Sequence, residues 1–269
     1  MKVDRTSLDR GRRQSRTRGL RSEAKCRRRH RPQEPGPVRL AIDLDQRFHF
    51  HYTAGMVRGV LFDMDGVIVD SEPFICEAAI AMFEEAGQRV QAVDFLPFIG
   101  TGENRYLGGV AEKYGIHIDI QEAKRRTYEI YRTIIRGRLT ALPGAIAFVR
   151  SCKARGLKAA LATSADLVKV TANLGEIGLS SETFDTIVNG LDVVRTKPDP
   201  EIYLTASRRL GLASSECLVV EDALSGLTAA RAAGARCLML TTSLPRERIQ
   251  GADWIARDLS QVPDDVLAW

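Results

Sequence analysis

The sequence predicts an α/β protein in which a doubly wound parallel sheet is joined to a small, all-helical domain inserted after the first strand. Short apolar runs alternate with helical patterns along most of the 269 residues, and this alternation is typical of a parallel sheet covered by helices on both faces. Residues 74–138 are the exception, because they contain helical patterns only. A chain of this length has room for one large domain and one smaller one.

The first predicted strand covers residues 57–62, an apolar run that ends in a turn-forming sequence. A helix is predicted at 74–86, since Ser71 precedes it and Gly87 follows it, as is usual at helix starts and ends. Two further helical patterns follow, at 103–114 and 119–137. We expect this helical block to form a cap over the carboxyl edge of the sheet.

Strands and helices alternate again after Leu142-Pro143-Gly144. The later predicted strands lie at 157–162, 184–189, 217–221, 235–241 and 252–256. The predicted helices of this part lie at 145–155, 166–177, 200–210, 223–233 and 245–250. The predicted domains are therefore a core of residues 56–73 and 139–269, and a cap of residues 74–138.

Residues 1–55 differ from the rest in charge and are predicted to be a disordered, basic leader. They contain 15 Lys and Arg residues and 6 Asp and Glu residues, a net charge of +9, whereas the rest of the chain has a net charge of −4. A segment without a sustained apolar pattern cannot bury a core. Three explanations stay open: a nucleic-acid-binding arm, an organelle-targeting peptide, or a start site assigned upstream of Met56.

Composition also bears on location and partners. None of the five cysteines forms a Cys-x-x-Cys pair, so a zinc site or a disulfide framework is not indicated and a reducing compartment is expected. We expect a cytoplasmic protein, or one in a plastid or another organelle if residues 1–55 are a transit peptide. No apolar run approaches the ~18 residues that a membrane helix needs. Nucleic acid is not expected as a partner except through the leader, and the oligomeric state is left open.

Polar groups that can bind a phosphate ester or a metal follow the predicted strands. They are Asp63 and Asp65, Thr163 and Ser164, Lys197, and Glu221 and Asp222. Because ligands bind beyond the carboxyl ends of parallel strands, we expect these side chains to share one cleft. Two carboxylates in such a cleft can divide a reaction between a nucleophile and a proton donor and acceptor.

The acidic groups of this cleft predict a metal cofactor. Each like-charge contact at about 4 Å is unfavourable by ~4 kcal/mol at an effective dielectric constant near 20. A divalent cation removes this repulsion, and an all-oxygen site beside a phosphate favours Mg²⁺. Lys197 and a hydroxyl group then suit the oxygens of a phosphoryl group. The expected partner is therefore a small phosphorylated substrate.

Each of these residues alone has an ordinary structural explanation. An Asp after a strand is most often a turn residue or a helix N-cap, and we expect Asp222 and Thr163 to cap the helices that follow them. A single lysine such as Lys197 is most often a solvated surface residue. The joint placement of all these groups at strand ends is what favours a catalytic site.

The motifs also resemble those of a known family, the haloacid dehalogenase superfamily. Its four motifs have counterparts here in the same order: Asp63-Met-Asp65-Gly-Val, Thr163, Lys197-Pro, and Glu221-Asp222. Within the superfamily, the chain from Met56 onward is similar to the phosphatase and β-phosphoglucomutase (CbbY-like) group, which has a Rossmann-like core and an α-helical cap. Residues 95–110 also resemble the hydrolase domain of plant suppressor-of-quenching proteins. The resemblance implies a Mg²⁺-dependent phosphoric monoester hydrolase.

The resemblance implies a role for each motif residue. Asp63 is the nucleophile that forms an aspartyl-phosphate, and Asp65 is the general acid and base. Thr163, Ser164 and Lys197 hold the phosphoryl oxygens. The implied metal ligands are Asp63, Glu221, Asp222 and the backbone carbonyl of Asp65.

Two departures within the superfamily bear on the activity. Dehalogenases lack the second aspartate, so Asp65 favours phosphoryl transfer. Phosphoglucomutases have a histidine early in the first cap helix, but no histidine occurs here between His51 and His117. The preferred hypothesis is hydrolysis of a small phosphorylated metabolite such as a sugar phosphate. The alternatives are a sugar-phosphate mutase of the β-phosphoglucomutase type and a non-catalytic regulatory protein with this fold.

Substrate choice is expected to depend on the cap. The candidate specificity residues are Glu103, Asn104 and Arg105, which follow Gly102 in a segment where the backbone can approach a ligand closely. In this hypothesis Arg105 meets a second anionic group of the substrate. The alternative is a glycine-containing turn with a solvated arginine.

Overall fold

A six-stranded parallel sheet lies at the centre of residues 56–269, the part of the chain that the computed structural model describes. The strand order is β3-β2-β1-β4-β5-β6, and every neighbouring pair is parallel. The strands are β1 (Gly59–Phe62), β2 (Lys158–Ala162), β3 (Thr186–Val188), β4 (Cys217–Glu221), β5 (Arg236–Leu240) and β6 (Trp254–Ala256). The predicted α/β class is confirmed.

Eight α-helices accompany the sheet in the described part of the chain. Four of them lie between β1 and residue 139: α1 (Glu72–Glu85), α2 (Ala92–Phe95), α3 (Glu103–Tyr114) and α4 (Ile120–Ile134). The other four are α5 (Ala145–Ala154), α6 (Leu167–Glu176), α7 (Glu201–Leu210) and α8 (Leu224–Ala232). The boundaries of the core and the cap, and the function of a cap, stay predictions.

Alternation along the strands divides the core between the two faces of the sheet. In β1, Val60 and Phe62 belong to one cluster of buried side chains and Leu61 belongs to the other. Since successive strand residues point to opposite faces, an apolar run can be buried on both sides. All four residues of β1 are buried, as expected for a central strand of a parallel sheet.

Most predicted elements occur within a few residues of their predicted positions, but the helix expected at 245–250 is wrong. That segment contains a single 3₁₀ turn, Arg246–Arg248, whose three residues are all exposed. Only Ile249 is buried there, so the segment lacks the apolar stripe that holds a helix against a core. The turn ends at Ile249, whose amide donates to the carbonyl of Arg246 (3.0 Å).

The predictions made for residues 1–55 lie outside the described residues. Among residues 56–269, no helix combines the length and the apolar character needed to cross a membrane.

We expect Leu218→Ala to lower the free energy of unfolding by about 2–5 kcal/mol, because it removes buried methyl groups and leaves a cavity in the core. Leu218 lies in β4 with no exposed surface. The matched control is Leu191→Ala, at a side chain that is 69% exposed, and it should change stability by less than about 0.5 kcal/mol. Urea unfolding of both variants checks this, and equal losses would contradict the assigned core.

Candidate active site

The chain turns sharply after β1, and this turn presents two aspartates at the carboxyl edge of the sheet. The amide of Asp63 still donates to the carbonyl of Val220 in β4 (3.0 Å), so Asp63 continues the strand pairing. Gly66 then adopts a φ of +73°, which favours glycine. A Cβ atom on Gly66 would lie 1.8 Å from Oδ2 of Asp222. Glycine is therefore required both for the turn and for the approach of the Asp222 carboxylate.

Three carboxylates lie together at the ends of β1 and β4, and two of them bind one lysine. One carboxyl oxygen from each of Asp63, Glu221 and Asp222 lies within 4.8 Å of the others. Nζ of Lys197 donates to Oδ1 of Asp63 (2.8 Å) and to Oε1 of Glu221 (2.6 Å). The hydroxyl of Tyr203 also donates to Glu221 Oε1 (2.7 Å). The structure thus brings together the predicted acidic residues Asp63, Glu221 and Asp222 and the predicted lysine.

One lysine does not compensate three buried carboxylates, and the pKa values reflect this. Burial raises the pKa of Asp63 to about 7, against the charge of Lys197. Burial and the charges of Glu221 and Asp63 hold the pKa of Asp222 well above its usual range. Burial also opposes the ionisation of Glu221, but Lys197 and hydrogen bonds lower its pKa overall. The cluster therefore has the composition and the charge deficit of a cation site.

Asp65 lies in a different environment from Asp63. Its Oδ2 accepts from Nζ of Lys169 (2.9 Å), and its Oδ1 accepts from the hydroxyl of Ser71. The side chain of Lys169 is only 3% exposed. Burial opposes its charge, but the charges of Asp65, Glu72 and other nearby groups hold its pKa well above the usual value.

Sequence reasoning missed Lys169. The signal was present, because in α6 the residue falls on the same helical face as Asp166, Val170 and Asn173, and all four are buried. A lysine on the buried face of an amphipathic helix indicates an acidic partner in the interior. Ser243 was also missed, although it follows β5 and its hydroxyl donates to Asp222.

Thr163 and Ser164 lie at the end of β2 and line the same cavity as the acidic groups. The amide of Thr163 donates to the carbonyl of Val188 (3.0 Å), and its hydroxyl accepts from the amide of Ala165 (3.1 Å). The expectation that Thr163 caps the next helix is wrong, because the N-cap of α6 is Asp166.

Asp222 does not cap a helix either. The N-cap of α8 is Ala223, and no side chain caps this end. The amides of Asp222 and Ala223 donate instead to Oε2 of Glu221, at 2.9 and 3.0 Å. A Cβ atom on Gly226 would lie 1.7 Å from Oε1 of Glu221, so this glycine leaves space for the buried carboxylate.

The cavity beside these groups has a volume of about 510 Å³, and of the three candidate specificity residues only Glu103 lines it. Asn104 and Arg105 are exposed. The guanidinium of Arg105 pairs with Glu112 (2.8 Å) and lies over the ring of Phe98 (5.0 Å). Consecutive helical residues point about 100° apart, so the inward position of Glu103 turns the next two away. The expectation that Arg105 meets a substrate anion is not supported by this arrangement.

A model of the haloacid dehalogenase-like hydrolase family matches residues 57–234. The chain therefore belongs to the haloacid dehalogenase-like hydrolases. This membership confirms the predicted family and the predicted enzyme class of hydrolase.

Curated relatives and solved structures agree with this assignment. The chain is 43% identical over 219 residues to the chloroplastic protein Suppressor of Quenching 1 of Arabidopsis thaliana. The matched region covers 79% of this chain but only 21% of that protein. It is 33% identical over 178 residues to the phosphorylated carbohydrates phosphatase of Thermotoga maritima, covering 66% and 82% of the two chains. The crystal structure of CbbY from Rhodobacter sphaeroides in complex with phosphate is similar with a TM-score of 0.68, 25% identity and coverage of 76% and 96%. The predicted CbbY-like group is thus confirmed.

We expect Lys169→Met to lower the free energy of unfolding by about 3–5 kcal/mol, because it leaves the buried carboxylates around it without a counter-charge. The loss should be larger at pH 8 than at pH 5. Burial already raises the pKa of Glu72 to about 7 although the charge of Lys169 opposes the rise, and without the lysine this pKa rises further. Stability then falls as the pH rises above the unfolded-state pKa of a glutamate, which is about 4.

Urea unfolding at the two pH values measures both effects. The control is Lys153→Met, which removes an ion pair with Asp185 whose side chains are 34% and 37% exposed. This change should lower the free energy of unfolding by no more than about 1 kcal/mol. A Lys169 variant that matches this control at both pH values would contradict the compensating role of Lys169.

Proposed function

We propose that this chain is a magnesium-dependent phosphatase that hydrolyses a small phosphorylated metabolite through an aspartyl-phosphate on Asp63. One observation carries the proposal. A carboxylate at the end of β1 lies beside a buried lysine and a cluster of carboxylates, and all of them line one cavity of about 510 Å³. A nucleophile, a cation for the phosphoryl oxygens and a metal site are what phosphoryl transfer through a carboxylate requires.

The residues present fit Mg²⁺. Asp63, Glu221 and Asp222 offer three carboxyl oxygens within 4.8 Å of one another, and hard oxygen ligands suit this ion. The raised pKa values of Asp63 and Asp222 point to a missing positive charge. The side chains of these three residues would hold the ion, with the backbone carbonyl of Asp65 as a further ligand. When bound, Mg²⁺ would offset the negative charge of the carboxylates and of the phosphoryl group.

In the first step, a carboxylate oxygen of Asp63 attacks the phosphorus atom. A bond forms between this oxygen and phosphorus, and the ester bond breaks with its electron pair on the alcohol oxygen. Asp65 donates its proton to that oxygen as the alcohol leaves. Lys197 lies beside Asp63 (2.8 Å), so its charge can stabilise the oxygens of the transferred group together with the hydroxyls of Thr163 and Ser164.

In the second step, Asp65 acts as a base. Its carboxylate takes a proton from a water molecule as the water oxygen bonds to phosphorus. The bond between phosphorus and Asp63 breaks, inorganic phosphate is released and both aspartates return to their starting states. The contacts of Asp65 with Lys169 and Ser71 support this assignment, because they fix the orientation of its carboxyl group.

The class of substrate is supported by the named relatives. The Thermotoga maritima relative is named a phosphatase of phosphorylated carbohydrates, so a sugar phosphate is the substrate that we propose. Product analysis separates hydrolysis from the mutase alternative. A phosphatase releases inorganic phosphate and the free alcohol in equal amounts, whereas a mutase returns an isomeric phosphate ester.

We expect Asp63→Asn to reduce kcat for sugar phosphate hydrolysis by at least about 1,000-fold, since an amide is a poor nucleophile for phosphorus. Phosphate release by the purified protein with Mg²⁺ measures this. The control is Asp265→Asn, at an exposed carboxylate, which should keep the wild-type rate. Full activity in the Asp63 variant would refute the assigned nucleophile, and an inactive wild-type protein would favour the regulatory alternative.

We expect millimolar Mg²⁺ to raise the midpoint of thermal unfolding of the wild-type protein, because a ligand that binds only the folded state stabilises it. Tenfold excess over the dissociation constant corresponds to about 1.4 kcal/mol. Asp222→Asn should lose most of this stabilisation, and Asp265→Asn should keep it. Differential scanning fluorimetry with EDTA or Mg²⁺ checks the effect without any substrate. An undiminished shift in the Asp222 variant would remove Asp222 from the metal site.

A further inference from the structure

We propose that Glu72 and Glu103 form a subsite that binds hydroxyl groups of the substrate and disfavours a second anionic group. Glu72 is the first residue of α1 and Glu103 the first residue of α3, and both side chains line the cavity. The subsite deepens the proposed function, on which it rests, because it selects among phosphate monoesters.

The first observation is a pair of unpartnered carboxyl oxygens. Oε2 of Glu72 and Oε2 of Glu103 are both buried, and neither has a hydrogen-bond partner among the described residues. Glu103 as a whole is only 7% exposed. The hydroxyl of Tyr128, which is buried and unpartnered in the described part of the chain as well, lies near Glu103. A buried acceptor without a donor is unfavourable, so we expect these two glutamates, whose side chains line the cavity, to accept hydrogen bonds from a ligand there.

The second observation is the charge of the cavity wall. In the described part of the chain it carries two lysines, Lys169 and Lys197, and neither arginine nor histidine. Both lysines are already bound to carboxylates, Lys169 to Asp65 (2.9 Å) and Lys197 to Asp63 (2.8 Å). No free cation therefore faces the cavity there to receive a second phosphate or carboxylate.

The carboxyl groups around Lys169 outnumber it. The cavity lining includes the carboxyl groups of Asp65, Asp70, Glu72 and Glu103. An anionic substituent would therefore meet like charges in a place where their repulsion is screened less than in bulk water. A hydroxyl group meets no such repulsion. It can donate to a carboxylate and can accept from a protonated carboxyl group.

The protonation of the two glutamates favours a neutral ligand over a cationic one. Burial raises the pKa of Glu72 to about 7, with Lys169 opposing and the charges of Asp65 and Glu103 adding to the rise. Burial also raises the pKa of Glu103. Near neutral pH Glu72 is thus only partly ionised, and an amine is not required to balance the subsite.

The test compares substrates that share a carbon chain and differ at the end remote from the phosphate. Sorbitol 6-phosphate ends in a hydroxymethyl group and 6-phosphogluconate ends in a carboxylate. We expect kcat/KM of the wild-type enzyme to be at least about tenfold higher for sorbitol 6-phosphate. Equal values, a preference for 6-phosphogluconate, or a tenfold preference for glucosamine 6-phosphate over glucose 6-phosphate would overturn the proposal.

Two variants assign the selectivity to the subsite. Glu103→Gln and Glu72→Gln remove a charge with little change of shape, and each should reduce the preference for sorbitol 6-phosphate over 6-phosphogluconate several-fold. The control is Glu112→Gln, since Glu112 pairs with Arg105 outside the cavity, and it should keep the wild-type preference. An unchanged preference in both subsite variants would overturn the assignment.

The wild-type activity on p-nitrophenyl phosphate distinguishes a failure of the subsite from a failure of the proposed phosphatase function. This ester has no second anion and no hydroxyl group beyond the phosphate. Hydrolysis of p-nitrophenyl phosphate without selectivity between the two six-carbon substrates would overturn the subsite and leave the phosphatase intact. Failure to hydrolyse any of these esters would overturn the proposed function itself, and the subsite with it.

Discussion

The structure depends on the compensation of buried carboxylates by two lysines. A carboxylate taken out of water without a partner is strongly unfavourable, yet the edge of this sheet collects several of them. Lys197 lies between Asp63 and Glu221, and Lys169 lies against Asp65. Each lysine forms ion pairs with different carboxylates, so the cavity has two charged sides. The first carries the candidate nucleophile and the candidate metal ligands, and the second carries the candidate acid and base and the groups that face the rest of the substrate.

The strand order places these groups in contact although they are far apart in sequence. β1 lies between β2 and β4, so the ends of three neighbouring strands bring Thr163, Asp63 and Glu221 to one edge. Close approach of the carboxylates further requires that two neighbouring residues lack a side chain. Gly66 leaves space for Asp222 and Gly226 leaves space for Glu221. The chemistry of the site thus rests on backbone positions as much as on the acidic residues themselves.

The sheet and the strand-end residues could be predicted because both follow from local patterns. An apolar run that ends at Asp63 or Glu221 is visible in the sequence, and parallel strands share one carboxyl edge. Site residues on helices were harder to predict from the sequence, because the packing of a helix decides which way each side chain points. Lys169 was overlooked. For Arg105 a substrate contact and a solvated side chain were both left open, and its pairing with Glu112 on the surface agrees with the second. The helix expected at 245–250 failed for a related reason, since charged residues with helical propensity do not supply an apolar face.

Lys169 links the proposed chemistry to the proposed selectivity. Its ammonium group contacts Asp65 directly, and the charges of Glu72 and Glu103 act on it as well. A ligand that donates hydrogen bonds to these glutamates would stabilise their charged forms and would thereby strengthen their hold on Lys169. The positive charge of Lys169 would then be shared between Asp65 and the more fully ionised Glu72 and Glu103. The part of the substrate remote from phosphorus would therefore act on the electrostatic environment of the candidate proton donor, so that the proposed recognition and the proposed proton transfer would be coupled through one buried side chain.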